Sequence, residues 1–319
     1  MYIISGRYDI LDMEEEIVFG KLYKAKDLYE NRLVFIQLIR DSKFVTENFL
    51  PNLIDESTML GQINSPHIGK VFDVGIHHSD EECYIYIVNE YFSGIELDKV
   101  IRGNYMDLNS IVKITRKILR ALGEAHRHNL YHGGLNESNI LVDERYNIKI
   151  YDFCITKANK GVNIRKDNCV PFLSPHQLNI NFTDKESDFF TLGVILFDAI
   201  FKRMPFGYSN NESEMLKLID KGIDWNTVGV NNENIALVNI VKKLIRRTEK
   251  YENASEVLVD LSKFMYVKAD IIDEVKNISN NEDEKEGNNS TIKNNNRLFQ
   301  KIAIFVIALS TLAVAIMRF

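Results

Sequence analysis

Two oxygen-bearing side chains, Asn139 and Asp152, bracket a short strand–turn–strand pattern. A first strand is expected over Asn139–Val142, the polar run Asp143–Asn147 supplies the turn, and Ile148–Phe153 alternates as a second strand. A hairpin folds these ends together, so an amide oxygen and a carboxylate reach one rim, as a divalent cation site needs. The same two side chains would equally cap the loop and the turn through backbone hydrogen bonds. Just upstream runs Tyr131-His132-Gly133-Gly134-Leu135-Asn136-Glu137-Ser138. Histidine is the residue type most often used as a general base, but for His132 a packed structural imidazole is the preferred reading.

The elements that must hold this stretch are legible around it. Residues 5–37 alternate as strands over Tyr8–Leu11, Ile17–Ala25 and Arg32–Ile39. A helix follows from about Pro51, with Ile54, Met59, Leu60 and Ile63 marking its apolar side. Tyr84–Val88 reads as a strand and Leu108–His128 as an amphipathic helix. Thr183-Asp184-Lys185-Glu186 reads as a capping box opening a helix that runs to about Phe201, so apolar all round that it must be buried. Further helices are expected over 212–265.

The chain has 319 residues, ample for a core, and a net charge of −6 with scattered basic residues, so no nucleic-acid partner is expected. Cys83, Cys154 and Cys169 lack metal-ligand spacing and fit a reducing compartment. His77-His78 reads as a solvated hairpin tip rather than a ligand pair, and the N-terminus shows no secretory pattern. Asn277–Arg297 is asparagine-rich and almost without apolar residues, as expected of a disordered tether. Beyond it Ile302–Met317 carries no charge over sixteen residues. With Lys301 and Arg318 snorkelling, that run is long enough for a spanning helix.

These motifs, in this order and at this spacing, resemble the eukaryotic-like (Hanks-type) serine/threonine protein kinases over roughly residues 5–265. The family writes H-R-D-L-K-x-x-N and then D-F-G; this chain writes His132-Gly133-Gly134-Leu135-Asn136-Glu137-Ser138-Asn139 and then Asp152-Phe153-Cys154. The resemblance implies an α+β, bilobal protein-kinase-like fold, with a small β-rich lobe and hinge over 1–92 and a larger α-helical lobe over 93–265. A helical end and disordered linker follow over 266–297, and a C-terminal transmembrane helix over 298–319. Carried over position by position, Gly134 replaces the catalytic aspartate, Asn136 the catalytic-loop lysine and Gln37 the phosphate-gripping lysine. Glu56 keeps the carboxylate that normally pairs with that lysine, and with Gln37 opposite it retains at best a charged hydrogen bond. The glycine-rich loop falls on Glu15, Ile17 and Gly20, and a carboxylate at 15 repels phosphate. His176 stands where the activation segment normally ends in glutamate, and that glutamate's arginine partner is missing near Lys250. Leu60, Val71, His132, Phe153 and Asp188 are plausible occupants of the family's stacked regulatory column.

The adenine pocket would be formed by Leu22, Phe35, Asn89 and Leu141, with the phenyl ring of Phe35 obstructing it. Asn139 and Asp152 are the metal-binding candidates, no catalytic residue is expected, and no cofactor is expected, with weak Mg-ATP binding left open. The resemblance thus implies a membrane-tethered pseudokinase, a binding or allosteric module in signalling with its N-terminal domain on the cytoplasmic side. Its partners would be the membrane, through the C-terminal helix, and a protein such as an active kinase or its substrate. The alternative is an atypical serine/threonine kinase that transfers phosphate from ATP to protein, uses Asp152 and Asn139 and recruits its base and lysine from elsewhere; Glu137 and Glu15 are nominees for the base, but neither sits at the family's position for it.

Overall fold

Alternation along the N-terminal segments builds one antiparallel sheet from β1 (Ile3–Ile4), β2 (Tyr8–Ile17), β3 (Gly20–Asp27), β4 (Arg32–Arg40), β5 (Val71–His78) and β6 (Cys83–Glu90). The strands lie in the order β1-β2-β3-β4-β6-β5. The computed structural model describes residues 2–264 apart from 18–19, 41–46, 80–82, 104–105, 160–168, 247 and 249. Residues 1–264 belong to one compact unit. The expected linker 266–297 and tail 298–319 lie outside the described residues, among which no helix is long and apolar enough to cross a membrane.

The two-residue period of a strand sorts β4 and β6 onto two faces. Val34, Ile36 and Leu38 pack with Tyr86, Val88, Tyr8 and Ile4 in one core cluster. Phe35, Gln37 and Asn89 fall on the opposite face, where Phe35 pairs in register with Asn89 and Gln37 with Ile87. The strand expected over 8–11 runs on to Ile17, and the one expected over 17–25 is shifted to Gly20–Asp27, because β2 and β3 pair from Tyr8↔Asp27 to Ile17↔Gly20 around the turn between them.

Helix α1 (Phe49–Gly61) begins two residues before Pro51 and buries Phe49, Leu53, Glu56 and Leu60. Ile54 and Met59, expected on its apolar side, are 45% and 36% exposed. The correction follows from the i, i+4 rule: Phe49, Leu53 and Leu60 share a stripe that excludes Ile54. At the β5–β6 hairpin His77 is half-buried rather than solvated, because the Ser5 amide donates to its Nδ1 at 3.3 Å and Tyr2 meets its ring edge-on.

The second half is helical. It comprises α2 (Leu97–Arg102), α3 (Leu108–Arg127), α4 (Ile155–Ala158), α5 (Pro175–Ile180), α6 (Lys185–Phe201), α7 (Glu212–Lys221) and α8 (Ile235–Leu244), then helix over 254–264. Three short strands, β7 (Ile95–Glu96), β8 (Ile140–Val142) and β9 (Ile148–Ile150), form a second sheet. Thirteen of the seventeen residues of α6 are buried, which makes it the axis of this lobe. Its cap lies one residue later than expected: Asp184 accepts from the Ser187 amide at 2.9 Å, and Ser187 closes the capping box. Thr183 is left outside the helix, where its hydroxyl accepts from Gln177 at 3.2 Å.

Candidate functional site: the interlobe cleft

The loop 131–139 is fastened from below by α6. Asp188, buried, accepts from the backbone amides of His132 at 2.9 Å and Gly133 at 2.8 Å, and from His126 Nε2 at 2.8 Å. Burial alone would push this carboxyl up, but the His126 hydrogen bond and charge, aided by Gly133, hold it below the usual range. The His132 ring donates from Nε2 to the Tyr151 carbonyl at 2.8 Å, so its Nδ1 accepts from the Gly134 amide at 3.3 Å. Burial depresses the imidazole pKa, and Phe153 packs on the ring at 4.7 Å between centroids. A neutral ring with both nitrogens engaged is a structural brace between loop and strand end.

Gly133 has φ +68°, and a Cβ there would come within 2.5 Å of Thr183 Cγ2 and 2.8 Å of Thr156 Cγ2. A Cβ on Gly134 would lie 3.1 Å from Thr156 Oγ1, a tight fit. The loop then turns through a 3-10 helix over Glu137–Asn139, which corrects the expected strand start: Asn139 precedes β8 instead of opening it. Asn136 and Asn139 cap one another. Asn136 Oδ1 accepts from the amides of Ser138 and Asn139, while Asn139 Oδ1 accepts from the Asn136 amide at 3.1 Å. Both side-chain amides donate to the Gly134 carbonyl, and Asn136 also reaches Cys169 Sγ at 3.5 Å. Asp152 follows β9 with φ +69° and lines the same cleft.

The fold brings eight of the expected residues together around one small cavity: Leu22, Phe35, Gln37, Asn89, Asn136, Asn139, Leu141 and Asp152. Its volume is about 90 Å³. Tyr151, a residue the sequence reading passed over, lines it too. The Phe35 ring, 7% exposed, lies 4.8 Å from Tyr91 and meets Tyr151 edge-on at 5.9 Å. Tyr151 Oη donates to the Glu90 carbonyl at 3.0 Å, and burial followed by the Glu90 charge raises its pKa. Lys149 adds an ion pair to Glu90 at 2.7 Å and a bond to the Ile68 carbonyl at 3.3 Å. The signal for Tyr151 was a bulky aromatic directly before Asp152; its partner across the lobes is set only by the fold.

Glu56 does not face Gln37. Its Oε1 takes Lys157 Nζ of α4 at 3.0 Å, and Asn52 Nδ2 donates to the Ala158 carbonyl at 2.9 Å, so α1 is bound to the segment after Asp152. The physical reason is charge: without a cation at 37, the carboxylate turns to the lysine within reach. Glu56 Oε2 stays buried with no hydrogen-bond partner among the described residues. Near the activation-segment end, where the family's glutamate–arginine pair is absent, Lys250 pairs with Glu186.

Below the loop, Glu137 points away from the cleft toward Asp198, which the Arg102 guanidinium holds in a two-pronged ion pair. Burial, then the Asp198 charge, pushes the Glu137 carboxyl up to about 9. Facing Asp198 from inside the lobe, it is poorly placed as a base for a group in the cleft. Cys154 is buried, which pushes its thiol up to about 12 and leaves it inert.

Comparison with known proteins adds a family to this geometry. Residues 18–269 match the family described as "Protein kinase domain". The chain is 30% identical over 268 residues to the serine/threonine-protein kinase PrkC of Bacillus subtilis, covering 81% of this chain and 40% of that protein. It is 27% identical over 269 residues to a probable serine/threonine-protein kinase of Clostridium perfringens, covering 82% and 38%. With one of Clostridium acetobutylicum it shares 30% over 274 residues, covering 82% and 40%. The chain thus spans about two-fifths of the length of these curated relatives.

Proposed function

The chain belongs to the protein kinase family, and within it we propose a member that does not transfer phosphate and acts as a membrane-tethered binding module in signalling. The observation that carries this reading is the filled cleft. Ligand pockets for molecules of nucleotide size run to about 300–1,000 Å³, whereas Phe35 and Tyr151 leave about 90 Å³ here. The hinge carbonyl of Glu90 is already taken by Tyr151 Oη.

The residues present do not fit a magnesium nucleotide. Asn139 is held in the loop, its oxygen accepting from the Asn136 amide and its nitrogen donating to the Gly134 carbonyl. Gln37 brings no charge for phosphates, and Gly134 brings no base. A missing general base costs ~10²–10⁴ in rate, and phosphoryl transfer depends further on the electrostatic clamp absent at 37. What remains is the bracing: Asp188, His132 and Phe153 still hold loop, strand and helix together. Such a scaffold presents surfaces rather than chemistry.

Membrane tethering rests on the sequence of the tail. The apolar run 302–317 is preceded by Lys285, Lys293, Arg297 and Lys301 and followed by Arg318. That bias supports a cytoplasmic position for the kinase domain.

The names of the relatives favour a second reading, an active serine/threonine kinase that recruits its base elsewhere. Incubation of the full chain with radiolabelled ATP, magnesium and a generic protein substrate separates the two. The pseudokinase reading expects incorporation no greater than in an Asp152→Ala control. Labelling that disappears with Asp152→Ala would establish the kinase.

A further inference from the structure

Helix α3 buries Ile111, Ile114, Ile118 and Leu122 in the lobe and carries its charge on the other side. Lys113, Arg116, Lys117 and Arg120 recur there at spacings of three and four, which lines them along one helix face. Lys113 and Arg120 are exposed, Arg116 and Lys117 half-buried. None of the four makes an ion pair with a described residue. Lys117 is held by neutral oxygens alone, its Nζ donating to the Tyr146 carbonyl at 2.6 Å and to Asn147 Oδ1 at 3.0 Å. The row also repels itself. Burial, then the charges of Lys113 and Arg120 working against Asp143, lower the Lys117 pKa. Burial, then Lys117, Arg120 and Lys149, does the same to His67 on the loop before β5. Further along α3, Glu124 is taken by Arg127 and His128. In the turn after β8, Asp143 accepts from the amides of Arg145 and Asn147, and its charge offsets one cation of the row. In a chain of net charge −6, the cations that remain are a local excess.

We propose that this face of α3 lies against the anionic phospholipid headgroups of the membrane that holds the tail, with Lys113, Arg116 and Arg120 on their phosphates and Lys117 adding its charge. The inference rests on the tethering proposed above. A row of cations spread over about 10 Å of helix matches a plane of negative charge better than a single anion, and no pocket encloses it. Each Lys or Arg near an anionic leaflet contributes about fivefold in affinity. The last described helix, 254–264, starts against α3, where a Cβ on Gly123 would lie 2.9 Å from Ala254 Cβ. A tether of the 33 residues 265–297 reaches about 30 Å, against a domain radius of about 18 Å. Anchoring alone therefore leaves the domain free to turn, and the basic row selects the side that meets the bilayer.

The full chain is reconstituted in nanodiscs of phosphatidylcholine, alone or mixed with phosphatidylglycerol. Its lysines are acetylated briefly and read by mass spectrometry, with Lys113 as reporter and Lys221, exposed at the end of α7, as reference. Labelling of Lys113 relative to Lys221 should fall about fivefold or more in the anionic discs. It should recover at about 1 M ionic strength, where the Debye length is about 3 Å. Arg116→Gln with Arg120→Gln removes two charges and should weaken the contact about 25-fold, restoring Lys113 labelling at an unchanged melting temperature. Equal labelling in the two lipids would overturn the proposal. So would protection already present in phosphatidylcholine, which puts another part of the protein on the row, such as the acidic stretch Glu282–Glu286. Stronger protection by polyuridylic acid at equal phosphate would reassign the face to nucleic acid. Co-elution with the discs reads the tail separately. A chain that leaves discs of both compositions refutes the tether and this contact with it, whereas a chain that stays with Lys113 fully reactive refutes the contact alone.

Discussion

Phe35→Ala tests the filled cleft most directly. The ring is 7% exposed and touches aromatic rings on both sides, Tyr91 at 4.8 Å and Tyr151 at 5.9 Å. Truncating a buried phenylalanine costs about 3–5 kcal/mol, of which each aromatic pair accounts for ~0.5–1.5 kcal/mol. Since Tyr151 follows β9 of the large lobe while Phe35 sits on β4, part of that loss is interlobe cohesion. A double-mutant cycle of Phe35→Ala with Tyr151→Ala, measured by urea unfolding, should therefore return a coupling of about 0.5–1.5 kcal/mol. Ligand binding is the second readout. Millimolar Mg-ATP should leave the melting temperature of the unaltered chain unchanged. A nucleotide present at ~100 times its dissociation constant would add ~2.7 kcal/mol, which a thermal melt resolves easily. Phe35→Ala opens the slot and should admit adenine nucleotide weakly. Clear stabilisation of the unaltered chain by nucleotide, equal in Phe35→Ala, would refute the idea that the ring fills the pocket; zero coupling to Tyr151 would refute its role between the lobes.

The α1–α4 contact gives a further outcome: Lys157→Ala should cost about 1 kcal/mol, because Lys157 is 40% exposed and the pair partly screened. Adding Glu56→Gln should recover most of that loss in chemical denaturation, since no buried charge then remains. Glu137→Gln should raise stability, increasingly as pH climbs. The native carboxyl, pushed up to about 9 from 4.5, holds a proton that the unfolded chain has released, so the unaltered protein loses stability between those values. Melts of both proteins at pH 5 and pH 8 should diverge by at most ~1.4 kcal/mol per pH unit; a constant difference would show that Glu137 does not titrate this way. Deleting 298–319 should move the protein from the membrane to the soluble fraction in a folded state, as read by fractionation and circular dichroism; aggregation of the shortened chain would make the tail part of the domain.

The order of motifs from Phe19-Gly20 to Asp188 was enough to indicate a two-lobed kinase fold, because strand alternation and helix periodicity are local properties written along the chain. The same holds for the residues that gather at the cleft. Asn139 and Asp152 meet because a short hairpin joins them, and Phe35 faces Asn89 because a strand alternates. What a side chain touches across the lobes was not legible. Glu56 was expected opposite the neutral amide of Gln37, and only the packing of α4 on α1 brings it Lys157, a residue far downstream. Tyr151 looked like one more aromatic strand residue until the fold set its hydroxyl against the Glu90 carbonyl and its ring against Phe35. The exposed side of α1 was misjudged for a related reason: Ile54 and Met59 are as apolar as Leu53, and composition cannot say which stripe meets the core. Periodicity determines that a face exists; which groups lie against it depends on contacts between segments far apart in sequence, and those are decided by burial and charge pairing in three dimensions.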